Sequence, residues 1–167
     1  NLIYVGTEDE GLVILESKNG RLELKKQFTK ENGIASNDIQ SVLVDAEKNL
    51  WIASFGKGIS KISFKDETWK EFEIKIFNTS NGLKSDFIKD ILQDHERNIW
   101  VASYGSGVAM LNENISTRFF TADNLRSINI QTIIKDKRGY FWLGTDKGVS
   151  RVGANGNEYD VVNYTTA

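Results

Sequence analysis

The chain has 167 residues, a net charge of −2 and 40% apolar residues, enough to bury a core in one domain or in part of a larger one. Lys and Arg are scattered rather than clustered, which argues against nucleic acid as a partner, and no run approaches the roughly 18 apolar residues of a membrane span. Cysteine and proline are absent and His95 is the one histidine; disulfides, thiol nucleophiles, zinc–thiolate sites and multi-histidine metal centres are therefore excluded, and a Ser-His-Asp triad could use only His95.

In chain order, "LIYVGTEDEGLVIL" opens the sequence in mid-strand, with no leader visible ahead of it. "IQSVLVD" (39–45) is a short run of branched apolar residues bounded by polar turns and reads as a strand. Its apolar residues on both faces predict a strand packed between two sheets. "AEKN" is a tight turn: Asp45 can bond back to turn amides, and Asn or Gly tolerates positive φ. "LWIAS" (50–54) is the next strand, "FGKG" a glycine turn, and "ISKISF" (59–64) a third strand. "FEIKIF" (72–77) alternates with period two and predicts a half-exposed fourth strand. "IKDILQD" (88–94), "NIWVAS" and "VAMLN" (108–112) repeat the series, as do "IQTIIKD" (130–136) and "YFWLGT". No segment predicts a helix.

The order is periodic. Tyr4, Trp51, Trp100 and Trp142 stand 47, 49 and 42 residues apart. Six residues before each Trp is an aspartate: Asp45, Asp94 and Asp136. Six before each Asp is Ile39, Ile88 or Ile130, and six before those is Gly33, Gly82 or Asn124. Four short antiparallel strands recurring at this period predict an all-β chain of about four β-propeller blades. The units run 1–28 (partial), 29–77, 78–120 and 121–167. Because the ends fall inside blades, the chain is expected to be a fragment of a larger ring, or to pair with a second copy.

The segments "NGIASNDIQSVLVDAEKNLWIAS", "NGLKSDFIKDILQDHERNIWVAS" and "DNLRSINIQTIIKDKRGYFWLGT" resemble the two-component regulator propeller repeat. Lys48 and Arg97 replace its turn glycine, which Gly139 keeps, and Ala53 and Ala102 replace the glycine after Trp, which Gly144 keeps. The resemblance implies a periplasmic sensor ectodomain of a hybrid two-component receptor in Bacteroides-like bacteria. It implies a part in sensing glycan-derived oligosaccharides, a histidine kinase elsewhere in the full receptor, and no cofactor. Membership of a membrane receptor is implied; insertion of this segment into the membrane is not.

Recurrence itself assigns Tyr4, Trp51, Trp100, Trp142, Asp45, Asp94 and Asp136 to scaffold: the aromatics to blade packing, the carboxylates to turn capping. The turn is not a sialidase-type Asp box, whose Asp-to-Trp spacing is five rather than six. His95 sits in the charged turn "DHERN" and reads as solvated. "SFGKG" and "SYGSG" lack the strand and helix context of a phosphate loop. Ligand contacts belong on loops at one end of the blades. One set leads into the first strand: Ser36, Asn37, Asp38, Ser85, Asp86, Arg126, Ser127 and Asn129. The other joins the second and third strands: Phe55, Lys57, Tyr104, Ser106, Asp146 and Lys147. The positions that vary between copies nominate Phe55, Lys57, Tyr104, Ser106, Arg126, Asn129, Asp146 and Lys147 as ligand-binding, since aromatic faces and polar forks suit a carbohydrate. No catalytic or metal residue is nominated. The alternatives are a scaffold that docks a protein partner and, with less support, a propeller lyase or glycosidase, which would need paired carboxylates across a cleft.

Overall fold

The computed structural model describes residues 1–66, 68–111, 119–120, 124–155 and 158–165. The boundary expected at 120/121 and the end of "VAMLN" lie outside the described residues. The chain divides into two compact units, Asn1–Ile88 and Lys89–Ala167.

The described strands form four antiparallel sheets, each a meander in chain order. The first holds β1 (Leu2–Gly6), β2 (Leu12–Lys18) and β3 (Arg21–Phe28). The second holds β4 (Ile39–Val44), β5 (Leu50–Ser54), β6 (Gly58–Phe64) and β7 (Phe72–Phe77). The third holds β8 (Ile88–Gln93), β9 (Ile99–Ser103), β10 (Gly107–Leu111) and β11 (Phe119–Phe120). The fourth holds β12 (Ile130–Lys135), β13 (Phe141–Thr145), β14 (Gly148–Asn155) and β15 (Glu158–Tyr164). The only helical turns among the described residues are two short 3-10 turns, Lys30–Asn32 and Thr79–Asn81.

In the first unit, Leu12, Ile14 and Phe28 of the first sheet meet Ile39, Leu50, Ile52 and Ile62 of the second in one core. In the second unit, Trp100, Ala102 and Val108 of the third sheet meet Ile133, Phe141, Leu143 and Val152 of the fourth. Each unit is thus two sheets packed face to face through alternate residues of their strands.

Burial corrects one expectation. The first strand of each set is only half-buried; Val44 is 40% and Ile134 59% exposed. β4, β8 and β12 are edge strands with one lateral neighbour, so the apolar run signals less cover than it does in mid-sheet. Among the described residues, β5 and β9, flanked on both sides, are buried along their whole length.

One turn organises each four-stranded set. Asp45 Oδ1 accepts the Asn49 amide at 2.7 Å, and its Oδ2 accepts Asn49 Nδ2 and Trp51 Nε1, both at 2.8 Å. Asp94 accepts the Asn98 amide, Asn98 Nδ2 and Trp100 Nε1 at 2.9, 3.1 and 2.8 Å. Asp136 accepts the Arg138 and Tyr140 amides at 2.8 and 3.0 Å and Trp142 Nε1 at 2.8 Å. The recurrent carboxylate therefore clasps its turn and the indole of the next strand together. The residue with positive φ in this turn is not the asparagine: it is Lys48 (65°), Arg97 (68°) or Gly139 (89°).

At the opposite end, a second latch recurs. Thr7, Ser54, Ser103 and Thr145 each donate a hydroxyl hydrogen bond, at 2.8–2.9 Å, to the carbonyl of Gly11, Gly58, Gly107 or Gly148. Gly58 has φ of 79°, and a Cβ there would lie 2.1 Å from the Phe77 carbonyl oxygen; Gly11 and Gly148 meet the carbonyls of Phe28 and Tyr164 in the same way.

Gly58→Ala should cost about 2 kcal/mol or more, since it combines a steric clash with a strained φ. Asp45→Ala should cost about 3 kcal/mol by orphaning the Asn49 and Trp51 donors. Lys48→Gly should instead stabilise by up to about 1 kcal/mol. Urea unfolding of the three variants checks the order.

Candidate functional site

The two nominated loop sets meet within each unit because backbone hydrogen bonds join them. In the first unit, the amide of Gly11 donates to the Asn37 carbonyl at 3.1 Å, and those of Gly56 and Gly58 both donate to the Asp86 carbonyl at 2.9 Å. In the second unit, the Gly107 amide donates to the Ile128 carbonyl at 2.9 Å. Each glycine turn is thereby tied to the segment leading into a following first strand.

The lead-in segments are themselves pinned. Asn37 Oδ1 accepts the Lys30 amide at 2.8 Å, and Asp86 accepts the Thr79 amide and hydroxyl at 2.7 and 3.0 Å. Ser36, Ser85 and Ser127 each accept, at 3.1 Å, the amide two residues ahead, on Asp38, Phe87 and Asn129. Ser60 and Ser150 reach back from the third strand to accept the amides of Ala35 and Arg126.

In the first unit, Phe55 meets Phe87 edge-to-face with ring centroids 4.9 Å apart. They are 39% and 46% exposed and form a small apolar knuckle beside exposed Lys57. Phe87 was not nominated; it occurs in one copy only, where the others have Asp38 and Asn129, so recurrence gives no signal for it.

In the second unit, four nominated residues form one group. Asn129 Nδ2 donates to Asp146 Oδ2 at 2.9 Å, and Arg126 Nε donates to the Lys147 carbonyl at 3.4 Å. Exposed Tyr104 and half-buried Ser106 lie on the turn that Gly107 ties to Ile128. The Ser127 hydroxyl, then the Asn129 amide, then the Lys147 charge hold the Asp146 carboxyl below its ordinary value. It presents a fixed negative acceptor beside the Lys147 cation, with Arg126 held on the Lys147 carbonyl, an arrangement that can bind a ligand carrying both hydroxyl and anionic groups. Lys57 and Arg126 lie in different units.

The scaffold aromatics divide. Trp100 packs between sheets, 4.1 Å from Phe141 and 5.7 Å from Tyr159 by ring centroid. Trp51 and Trp142 stack instead on the outer strand of their own sheet, on Phe77 at 5.5 Å and Tyr164 at 5.6 Å. Tyr4, at the Trp position of the first sheet, is half-buried against the core of its unit. His95 is exposed, with Lys135 Nζ 3.2 Å from its Nδ1. Sequence reasoning also passed over Asp90. Its Oδ2 accepts the Thr132 hydroxyl and the Ile133 amide at 2.9 and 3.0 Å, where the ladder of β12 is irregular. Among the described residues, no group of three or more His, Asp or Glu side chains could hold a metal ion.

These sheets, with their clasped turns, define a β-propeller repeat protein. Residues 33–56, 82–105 and 124–147 match the two component regulator propeller family, and the chain carries three copies of that repeat. No curated protein matches the sequence. Among solved structures, the extracellular domain of a hybrid two component system from B. thetaiotaomicron is 22% identical over 98% of this chain and 21% of its own, with a TM-score of 0.79. PorZ, a surface component of the type-IX secretion system of Porphyromonas gingivalis, is 19% identical over 87% of this chain and 22% of its own, with a TM-score of 0.63. The extracellular domain of a one component system from B. thetaiotaomicron is 18% identical over 99% and 30%, with a TM-score of 0.54. At these identities the likeness is one of fold. The chain spans about a fifth of the length of the first.

The Asp146 environment has a direct reading. Its NMR titration should have a midpoint below the ordinary Asp value of about 3.9, and Ser127→Ala should move it back up. The folded value is depressed. Its contribution to stability is therefore present above the unfolded-state value and lost as pH falls through the folded one. Asp146→Asn should flatten that part of the acid-unfolding curve.

Proposed function

We propose that this chain is a non-enzymatic sensor module, a set of blades from the periplasmic ectodomain of a two-component receptor of the hybrid type. The three copies of the two component regulator propeller repeat carry the reading. The extracellular domain from B. thetaiotaomicron, which shares the fold, supports it. The ligand face is the end of the blades where the glycine turns meet the lead-in loops, and the ligand class is an oligosaccharide released from a glycan. Exposed Tyr104 supplies an aromatic surface, and the Arg126, Asn129, Asp146 and Lys147 group supplies donors and acceptors next to it. Occupation of this face would favour one arrangement of the receptor over another and so bias a kinase domain elsewhere in the full protein.

Titration calorimetry of an oligosaccharide panel against the full ectodomain tests the reading. At least one sugar should bind, and Arg126→Ala or Asn129→Ala should weaken it about tenfold without lowering the melting temperature by more than a few degrees. Absence of binding by every sugar would favour a protein-docking scaffold.

A further inference from the structure

The second unit holds an open cleft of ≈ 330 Å³ against the Asp136 turn, at the end of β13 opposite its glycine turn. It lies at the lower end of the size range of small-molecule sites. Asp136, Lys137, Arg138, Tyr140, Trp142 and Arg151 line it. Three cations thus face one carboxylate, and that carboxylate is already engaged. Its Oδ1 accepts the Arg138 and Tyr140 amides and its Oδ2 the Trp142 indole.

This composition belongs to one copy of the turn. Where Arg138 stands, the other copies have Glu47 and Glu96; where Lys137 stands, they have Ala46 and His95; Tyr140 replaces Asn49 and Asn98. Apart from the clasp aspartate, each of those turns carries one acid and one strong base, and this one carries two bases. Opposite the tryptophan on the third strand, Arg151 pairs with Trp142, where Met110 pairs with Trp100 and Lys61 with Trp51.

Arg151 is placed to bind. Its guanidinium lies 4.5 Å from the Tyr140 ring centroid and 5.9 Å from that of Trp142. Tyr140 in turn lies against Gly153 of β14, where a Cβ would come 2.6 Å from the ring Cε1; the missing side chain is what admits the ring. A guanidinium resting on aromatic faces keeps its N–H fork for an oxyanion. Exposed Lys137 and Arg138 add two cations from the turn. Packing on the indole does not require them: in the first unit Lys61 lies 4.9 Å from the Trp51 ring with a glutamate, Glu47, in its turn.

The charge selects the ligand. A singly charged carboxylate would leave the cations under-matched. A phosphate group, free or as a monoester, carries about −1.5 to −2 near pH 7 and has three strong acceptor oxygens, enough for the arginine fork and two further cations. We propose that the Asp136 turn of the second unit is a binding site for a phosphate group, separate from the loop face at the other end of the sheet.

The test is titration of the chain at fixed ionic strength with inorganic phosphate and with glycerol 3-phosphate, followed by NMR at the indole N–H signals. The Trp142 signal should shift saturably, and those of Trp51 and Trp100 should not. Tighter binding of inorganic phosphate would assign the free ion, and tighter binding of glycerol 3-phosphate the ester; either supports the site. Acetate should bind at least about tenfold more weakly. Arg138→Glu and Arg151→Met install residues that other copies carry at the same positions, so both should stay folded by circular dichroism and bind at least about tenfold more weakly. Lys137→Ala, at an exposed turn position, should weaken binding about threefold whether or not those two fold. Lys61→Met, in the first unit, should bind as the parent does. The inference is overturned if neither phosphate compound shifts Trp142 saturably, if acetate binds as tightly, if the Trp51 signal shifts in parallel, or if the folded variants bind as tightly as the parent. The loop-face reading is tested with sugars and other residues, so failure of one leaves the other standing.

Discussion

A carboxylate that holds an indole six residues away is the interaction on which the blades depend. Asp45 is only 7% exposed. A charge so placed is tolerable only if its oxygens are filled, and three donors fill them. Hydrogen bonds to charged groups contribute about 1.5–3 kcal/mol each, so the clasp fixes more than a turn. It sets where the second strand starts, and which side of that strand carries the tryptophan. For Asp136 the Trp142 indole is the first cause of a carboxyl held below its ordinary value, followed by the Tyr140 and Arg138 amides. The bond favours the ionised form, and acid weakens this clasp.

The other end of each sheet is governed by backbone geometry rather than charge. A hydroxyl latch shapes the glycine turn, and a glycine without Cβ lets the last residue of the outer strand pass within van der Waals reach. The turn amides so aligned then donate to the lead-in of a following strand. Scaffold and display are thus linked: the residues that repeat hold the loops in place, and the residues between them are left to vary. Phe55 and Lys57 stand where another copy has Tyr104 and Ser106, on turns of the same build.

How much of this the sequence discloses follows from the same division. The strands read from "IQSVLVD", "LWIAS", "ISKISF" and "FEIKIF" match β4 to β7 within a residue or so, because period and composition agree there. Asp45, Asp94 and Asp136 are legible as turn caps from recurrence, although their hold on the indole nitrogens is a tertiary fact. The apolar runs of the first strands overstate their burial, since such a run does not say whether a strand sits at a sheet edge. The positive φ of Lys48 and Arg97 lies where the repeat prefers glycine, so a sequence departure marked the position correctly and the asparagine beside it did not. Phe87 and Asp90 carry no signal in the sequence for one reason. Each occurs once, and a reading built on repetition discounts what does not repeat. In the loop set, the sequence grouped Arg126, Asn129, Asp146 and Lys147 by position alone; the bonds among them needed coordinates.

The central claim is that the recurring carboxylate carries each set through its indole. Hydrogen exchange at the tryptophan Nε1–H groups, read by NMR, tests it most directly. The indoles of Trp51, Trp100 and Trp142 should all be strongly protected in the folded chain, and Asp45→Ala should abolish the protection of Trp51 while sparing Trp142. Rapid exchange at all three in a folded chain, or loss of protection unrelated to which aspartate is replaced, would contradict the account.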